Sequence, residues 1–510
     1  MTQAVQTAPV VIFGAGPAGL TAAYELAKNG VRSLVLEQDG VVGGLARTVE
    51  HNGYRFDIGG HRFFTKLSYI EQIWKELLGS DLLVRPRLSR IYYRSRFFHY
   101  PLEPLNALLG LGPLEASLCF ASFLRSRLSP TLPEADFKTW VSNRFGKRLF
   151  EIFFNSYTEK VWGMPCDQIS AEWGKQRIRG MSLSTILRDA LGGWLRGAET
   201  ARSLARQFYY PRLGPGMMWS RMRERIEQQG AVVVLNAPVE EICYAPDRVT
   251  GVRAGGHLYA GEEFISSIPV QELICRLSPA SPELRQVSGD FHYRDFITVA
   301  LIVRGADLFS DNWLYIHDPN VMVGRIQNYG NWSPDMAPGA STSCLGLEYF
   351  CQHSDGLWCM SDAELTALAV HELKYLGLTP DVELLGSKVV RMPRAYPVYD
   401  GTYRRGITAV QQFLRTKPNL QLIGRNGMHR YNNQDHAMIT GVLAARNIMG
   451  ERHDLWDLEA DSGYLEDRST LPASELLALE TTQPRVPARI FGGAASSTDN
   501  AFENPQSLRS

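Results

Sequence analysis

Residues 10–47 read VVIFGAGPAGLTAAYELAKNGVRSLVLEQDGVVGGLAR. Val10 to Phe13 form a short apolar, β-branched run that suits a buried parallel strand. Gly14, Gly16 and Gly19 follow as G-x-G-x-x-G, and Leu20 to Lys28 has helical composition. In such a unit the first glycine allows the tight turn. The second admits a pyrophosphate to the backbone, and the third lets helix and strand pack closely. The helix N-terminus, with free N–H groups and the positive end of its dipole, then faces the anion. A second strand, Ser33 to Leu36, ends in Glu37, where a ribose hydroxyl is bound in this arrangement. Strand, glycines, helix, strand and acid together predict a dinucleotide site. Gly43 and Gly44 offer a second backbone approach to the same ligand and favour FAD over NAD.

The 510 residues carry 53 basic and 53 acidic side chains, and 45% of them are hydrophobic. The chain can bury large cores in two or three domains. Charge balance gives no sign of a nucleic-acid partner. Seven scattered cysteines without a C-x-x-C predict a reducing, cytoplasmic setting and no metal site. The N-terminus has no basic region followed by an apolar core, so no signal peptide is expected. Leu105 to Leu124 is largely apolar, but Glu115, Gly110, Gly112 and Pro113 interrupt it. A spanning helix needs about 20 apolar residues with few breaks, so two short packed helices are expected and no integral membrane segment.

Taken in order, residues 8–100 read as the first part of a dinucleotide-binding domain, with strand-like sequence over 84–100. Tyr54 to Thr65 carries Gly59, Gly60 and His61 on a turn. His61 is either a hydrogen-bonded loop residue or a contact to the isoalloxazine ring. Residues 101–208 read as a helical insertion. It holds Phe153, which at such aromatic density is core, and Trp162, which is core or the wall of a cleft. Residues 209–270 return to the first domain. A helix leads there to a strand over Ala231 to Leu235, and Val239 begins the next, where backbone meets the adenine. Residues 271–404 read as a sheet-rich substrate domain. Its strands include Phe296 to Val303, Val321 to Gln327 and Cys344 to Phe350, with a helix near Asp362 to Leu376. Residues 405–460 close the first domain with a strand at Leu420 to Gly424 and a helix over Met438 to Met449. Residues 481–510 have the composition of a disordered tail. The expected architecture is α/β: a Rossmann-type FAD-binding domain with a helical insertion and an antiparallel β-sheet substrate domain.

Five patches resemble the UDP-galactopyranose mutase family, its eukaryotic branch most. They are Gly59-Gly-His61; Lys160-Val-Trp162 with Arg177; Asn312-Trp-Leu-Tyr315 with Arg325 and Asn331-Trp-Ser-Pro334; Tyr396-Pro-Val398; and Gly424 to Tyr431 with Asn433-Gln-Asp-His436. The first patch and the glycine motif also fit the amine oxidase and protoporphyrinogen oxidase-like FAD superfamily. The resemblance implies that Arg177 and Arg325 clamp a nucleotide sugar's diphosphate, with phenols Tyr396 and Tyr431 as neutral donors. It implies that Tyr100, Phe153, Trp162, Trp313, Tyr315 and Asn433 line the substrate cleft. It places His61, Arg425 and Gln434 against the flavin, with His61, Arg325 and Arg425 as the catalytic set. It also implies reduced FAD as the active form, whose N5 attacks the anomeric carbon so that pyranose and furanose interconvert without net oxidation. NAD(P)H is the implied reductant in some members. Read alone, each arginine is more often a surface ion pair worth little, and it is the family spacing that favours function.

Departures cluster where the base is read. Tyr100-Pro101 is followed by Leu102 and Glu103 rather than an aromatic and a glutamine, Thr158 replaces an asparagine, and Phe64 stands where bacterial members have a second histidine. An ionised carboxylate offers no donor, unlike an amide. Base and sugar are therefore left open. Two other classes stand beside the mutase: a true FAD oxidoreductase of amine oxidase or desaturase type, and a flavin-binding protein with a structural role. The helical insertion would suit a homo-oligomer interface.

Overall fold

The run Val10–Phe13 is completely buried because a parallel neighbour flanks it on each side. A strand covered on both faces reads as continuous hydrophobicity rather than alternation. In the computed structural model, which describes residues 6–100, 104–171, 174, 207–306, 308–339, 341–379 and 383–458, the strand begins at Gln6. It pairs with His257–Ser266 and Ser33–Leu36, the latter in turn with Val232–Val234. Leu420–Leu422 adds a parallel strand beyond His257–Ser266. Val249–Ala254, Val239–Tyr244 and Leu277–Ser278 complete this eight-stranded sheet. Helix Pro17–Lys28 lies under helix Gln434–Ile448 so closely that a Cβ at Gly441 would sit 2.3 Å from the Ala18 carbonyl oxygen. Arg446 Nε donates to Glu25 at 2.9 Å and fastens the two helices.

The second sheet has seven strands in the order Leu384–Pro397, Tyr293–Arg304, Thr342–Cys351, Arg325–Asn328, Trp313–Ile316, Ser89–Tyr93 and Arg96–His99. All its pairings are antiparallel except Trp313–Ile316 with Ser89–Tyr93. The two strands between 89 and 99 thus build the second sheet, although they precede the helical insertion and read with the first domain. Helix Asp362–Tyr375, opened by the Ser361/Glu364 capping box, packs Leu365, Ala369 and Leu373 on the outer face.

The strand expected over Val321 to Gln327 starts only at Arg325. Side chains claim the preceding backbone. The buried Lys160 ammonium takes the carbonyls of Ile316, Asp318 and Val323, and the Glu372 carboxylate takes the N–H groups of Met322 and Val323. With backbone groups taken by these side chains, Met322 and Val323 do not join the ladder. The apolar stretch near 105–124 does divide into two helices, Pro104–Leu111 and Pro113–Leu128, at Gly112 with φ +84°. The final helix begins earlier than expected, at Gln434, with Asn433 as its N-cap. Arg177, most of residues 172–206 and the tail at 481–510 lie outside the described residues. No helix among the described residues is long and apolar enough to cross a membrane.

Candidate active site

The first sheet's parallel strands end at a cavity of about 340 Å³, within the ~300–1,000 Å³ of ligand pockets. Its floor is backbone. Gly14, at φ +95°, donates its N–H to the Leu36 carbonyl at 2.8 Å. A Cβ on Gly19 would lie 2.0 Å from the Gly14 carbonyl oxygen, so only glycine lets helix Pro17–Lys28 seat on the turn. Gly16 and Gly44 face each other, a Cβ on Gly44 falling 3.3 Å from the Gly16 Cα. Glu37 is buried beneath the loop, and its carboxylate accepts from the N–H groups of Ala15 and Asp39 at 2.7 and 3.0 Å. Burial pushes its pKa up, while those two donors pull it down. Each oxygen keeps a lone pair for a ribose hydroxyl.

Val239, His61, Asn433 and Gln434 line the same cavity. The imidazole Nδ1 of His61 and the amide Oε1 of Gln434 are buried there without a hydrogen-bond partner. Glycine cradle, helix N-terminus, ribose-level acid and unpartnered polar atoms at the far end form the donor and acceptor set of a long dinucleotide, and the residues fit FAD. Gly43 and Gly60, expected at the cofactor, are not among the residues that line this cavity. Gly43 packs against Trp219, and Gly60 against the Gln327 amide, 2.9 Å from where its Cβ would be.

Beyond His61 the wall becomes side chain. Arg325 bonds to Glu348 through Nε, and its Nη2 donates to the Tyr396 hydroxyl at 3.0 Å. Glu348 is fully buried, and Gln327 Nε2 also donates to it, at 2.7 Å. Burial opposes the charge on Arg325, but the carboxylate beside it keeps the guanidinium firmly protonated. Tyr396 and Tyr431 stack at 5.6 Å, and the Arg425 guanidinium lies 5.4 and 5.0 Å from their ring centres. Arg425 meets carbonyls rather than a carboxylate: Nε donates to Asn432 at 2.9 Å and Nη1 to Ala395 at 3.1 Å. Burial and these two cations, Arg425 first, lower the His61 pKa to about 3 and leave the ring neutral.

The expected aromatics divide. Tyr315 lies 4.6 Å from Tyr100 and 5.5 Å from Tyr157, whose ring stacks on His317 at 4.7 Å. Trp162 is buried 6.4 Å from Tyr431. Phe153 and Trp313 are packed into cores, the first against Phe98 and the second against Trp332. Four residues of these clefts escape the motif reading. Arg47 lines the cofactor cavity and pairs with Asp39. Arg394 stands in the same cavity at φ +54°, its N–H bonded to Asp295 and its carbonyl to Asn426. Glu348, a carboxylate in an otherwise apolar strand, demanded a partner that the sequence alone does not name. Tyr157 lies between Phe153 and Trp162 in the aromatic-rich part of the insertion but carries no spacing signal.

Backbone cradle, cavity-lining histidine and closing helix together suit a dinucleotide-binding flavoprotein fold. A profile of the family described as flavin containing amine oxidoreductase matches residues 17–449, and the chain belongs to that family. It is 24% identical over 494 residues to the 15-cis-phytoene desaturase of Synechococcus elongatus, covering 88% of this chain and 97% of that protein. Among solved structures, reduced UDP-galactopyranose mutase superposes with a TM-score of 0.77 at 22% identity, covering 88% and 97% of the two chains. Putrescine oxidase bound to putrescine gives 0.59 at 18% identity, covering 88% and 100%. Both structural likenesses speak to fold alone. Membership is thus established for the FAD superfamily of the resemblance, whose members imply FAD binding. The mutase likeness is one of architecture.

Proposed function

We propose that the chain is a flavin-dependent mutase that interconverts pyranose and furanose forms of a nucleotide sugar. One observation carries this reading: two guanidinium groups, Arg325 and Arg425, stand among the phenols of Tyr396 and Tyr431 on the far side of His61. A protonated amine is repelled by such a site, and a hydrocarbon gains nothing from it. An anionic diphosphate gains charge-assisted hydrogen bonds. Bound in its reduced form, FAD would supply the nucleophile for the anomeric carbon, with NAD(P)H as the proposed reductant. The chain's own residues bind and orient. Arg425 and Arg325, with Arg177, hold the leaving diphosphate, while Tyr396 and Tyr431 donate to it. Neutral His61 keeps positive charge away from the ring side.

The pairing of Arg325 with Glu348 favours a second reading, because it cancels one of the two described cations. On that reading the enzyme oxidises an uncharged or weakly acidic small molecule, as suits an oxidoreductase family. The test is to reduce the flavin chemically, offer nucleotide sugars differing in base and sugar, and look by chromatography for isomers. Isomer formed only with reduced flavin supports the mutase. No isomer, together with a substrate that bleaches the oxidised flavin, replaces it with the oxidoreductase.

A further inference from the structure

Helix Pro113–Leu128 is apolar on two opposite faces. Cys119 and Phe123 face inward and are buried. At 100° per residue, Leu114, Leu118, Leu124 and Leu128 fall on the outward side. Leu114 is 77% exposed and Leu128 87%. Leu109 on the preceding helix and Leu132 beyond extend the patch. Among the described residues, seven of the fourteen exposed large hydrophobic side chains lie between residues 109 and 132, so the exposure is concentrated rather than scattered. A helix with apolar residues all round is ordinarily covered all round.

Among the described residues, the charges around this patch that have no ion-pair partner are of one sign. Arg125 projects within the leucine face, and Arg127 follows it on the same helix. Arg94 and Arg96 reach it from the hairpin Ser89–His99, where Arg96 donates to the Gly110 carbonyl. Among the described residues none of these four is hydrogen-bonded or ion-paired to a carboxylate, and Arg94 reaches Glu115 only through its field. The nearest acid, Glu115, is already held by Arg148 through two hydrogen bonds, and its carboxyl is kept low by Arg148 first, with Arg94 contributing. Glu151 pairs with Lys147 at 3.9 Å. An isologous dimer would bring two sets of these arginines into one interface, and like charges brought together oppose association. An anionic surface meets both demands at once, taking the leucines into its apolar boundary and the arginines at its headgroups.

We propose that this face of the helical insertion docks on a lipid surface bearing anionic headgroups. The proposal is independent of the reaction catalysed. The test is flotation of the full-length, flavin-loaded protein with vesicles of phosphatidylcholine alone and of phosphatidylcholine with roughly one-third phosphatidylglycerol. The expected result is at least a fivefold larger bound fraction on the anionic vesicles, falling as salt screens the headgroups. Leu114→Ser/Leu128→Ser should abolish flotation. Arg125→Gln/Arg127→Gln should remove the preference for anionic lipid. Flavin absorbance and thermal midpoint serve as the check that both variants are folded. Equal or absent flotation on the two vesicles overturns the proposal. So does a light-scattering mass of a dimer that Leu114→Ser/Leu128→Ser converts to monomer, which would assign the face to self-association.

Discussion

Between Gly14 and Gly44 the cofactor cavity is walled by backbone; between Arg325 and Tyr431 the adjoining cleft is walled by side chains. The first wall comes from one stretch of about 35 residues, and its requirements are steric: where a Cβ would collide, glycine stands. The second is assembled from strands and loops far apart in sequence, and its requirements are electrostatic. Glu348 answers Arg325 from a neighbouring strand, 23 residues on, and Gln327 joins that carboxylate to the Gly60 loop. A steric wall fails all at once when it is filled. An electrostatic wall fails by degrees, as charges lose partners.

The sharpest test of that contrast is Gly19→Ala. One methyl group placed 2.0 Å from the Gly14 carbonyl must push the helix off its turn. The cost should exceed ~3 kcal/mol, the upper part of the range for overpacked sites. The purified variant should carry little flavin, read as absorbance near 450 nm per chain, and its urea midpoint should fall. A variant with native flavin content would show that the turn is softer than its contacts imply.

Next in size is Glu348→Gln. It leaves Arg325, whose side chain is only 17% exposed, without its counter-charge. Breaking a buried pair from one side costs about 3 kcal/mol or somewhat more, because the remaining charge stays buried. Urea unfolding should show this loss, and the double variant Glu348→Gln/Arg325→Met should recover part of it. If the single variant is as stable as the parent, water already reaches Arg325, and the side-chain wall is more open than its hydrogen bonds suggest.

The same contrast explains what could be read before the structure. Strand Ser33–Leu36 was legible to the residue, and the glycine turn in full, because local sterics decide both. The second sheet was legible as strands but not as a site. The strand expected from Val321 starts only at Arg325, because Lys160, from the insertion, and Glu372, from a later helix, take the backbone groups before it. No local pattern announces that. The resemblance implied that Phe153 and Trp313 line the substrate cleft, yet their rings pack into cores. Arg325 was recognisable from its family spacing, whereas its neutralisation by Glu348 depends on the pairing of Arg325–Asn328 with Thr342–Cys351. Position in a motif is therefore a poorer guide to charge than to place.

The smallest effect falls on His61, where the two walls meet. Burial, then the charges of Arg425 and Arg325, lower its pKa to about 3 in the folded protein, against 6.5 for a free histidine. Below pH 6.5 the unfolded chain takes up a proton that the folded chain refuses, so stability falls as pH drops from about 6.5 towards 3 and is level above. Going from pH 7.5 to 6.0 should cost about 0.8 kcal/mol for this residue, the free energy of protonating one free imidazole over that interval. His317 and His429, also lowered by burial, add to the same slope. His61→Gln should remove one share of it and leave the other two. An unchanged slope in the variant would mean that His61 takes up its proton as readily in the folded chain as in the unfolded one. The Arg325–Arg425 field would then not reach the ring, and the electrostatic wall would end short of the cofactor.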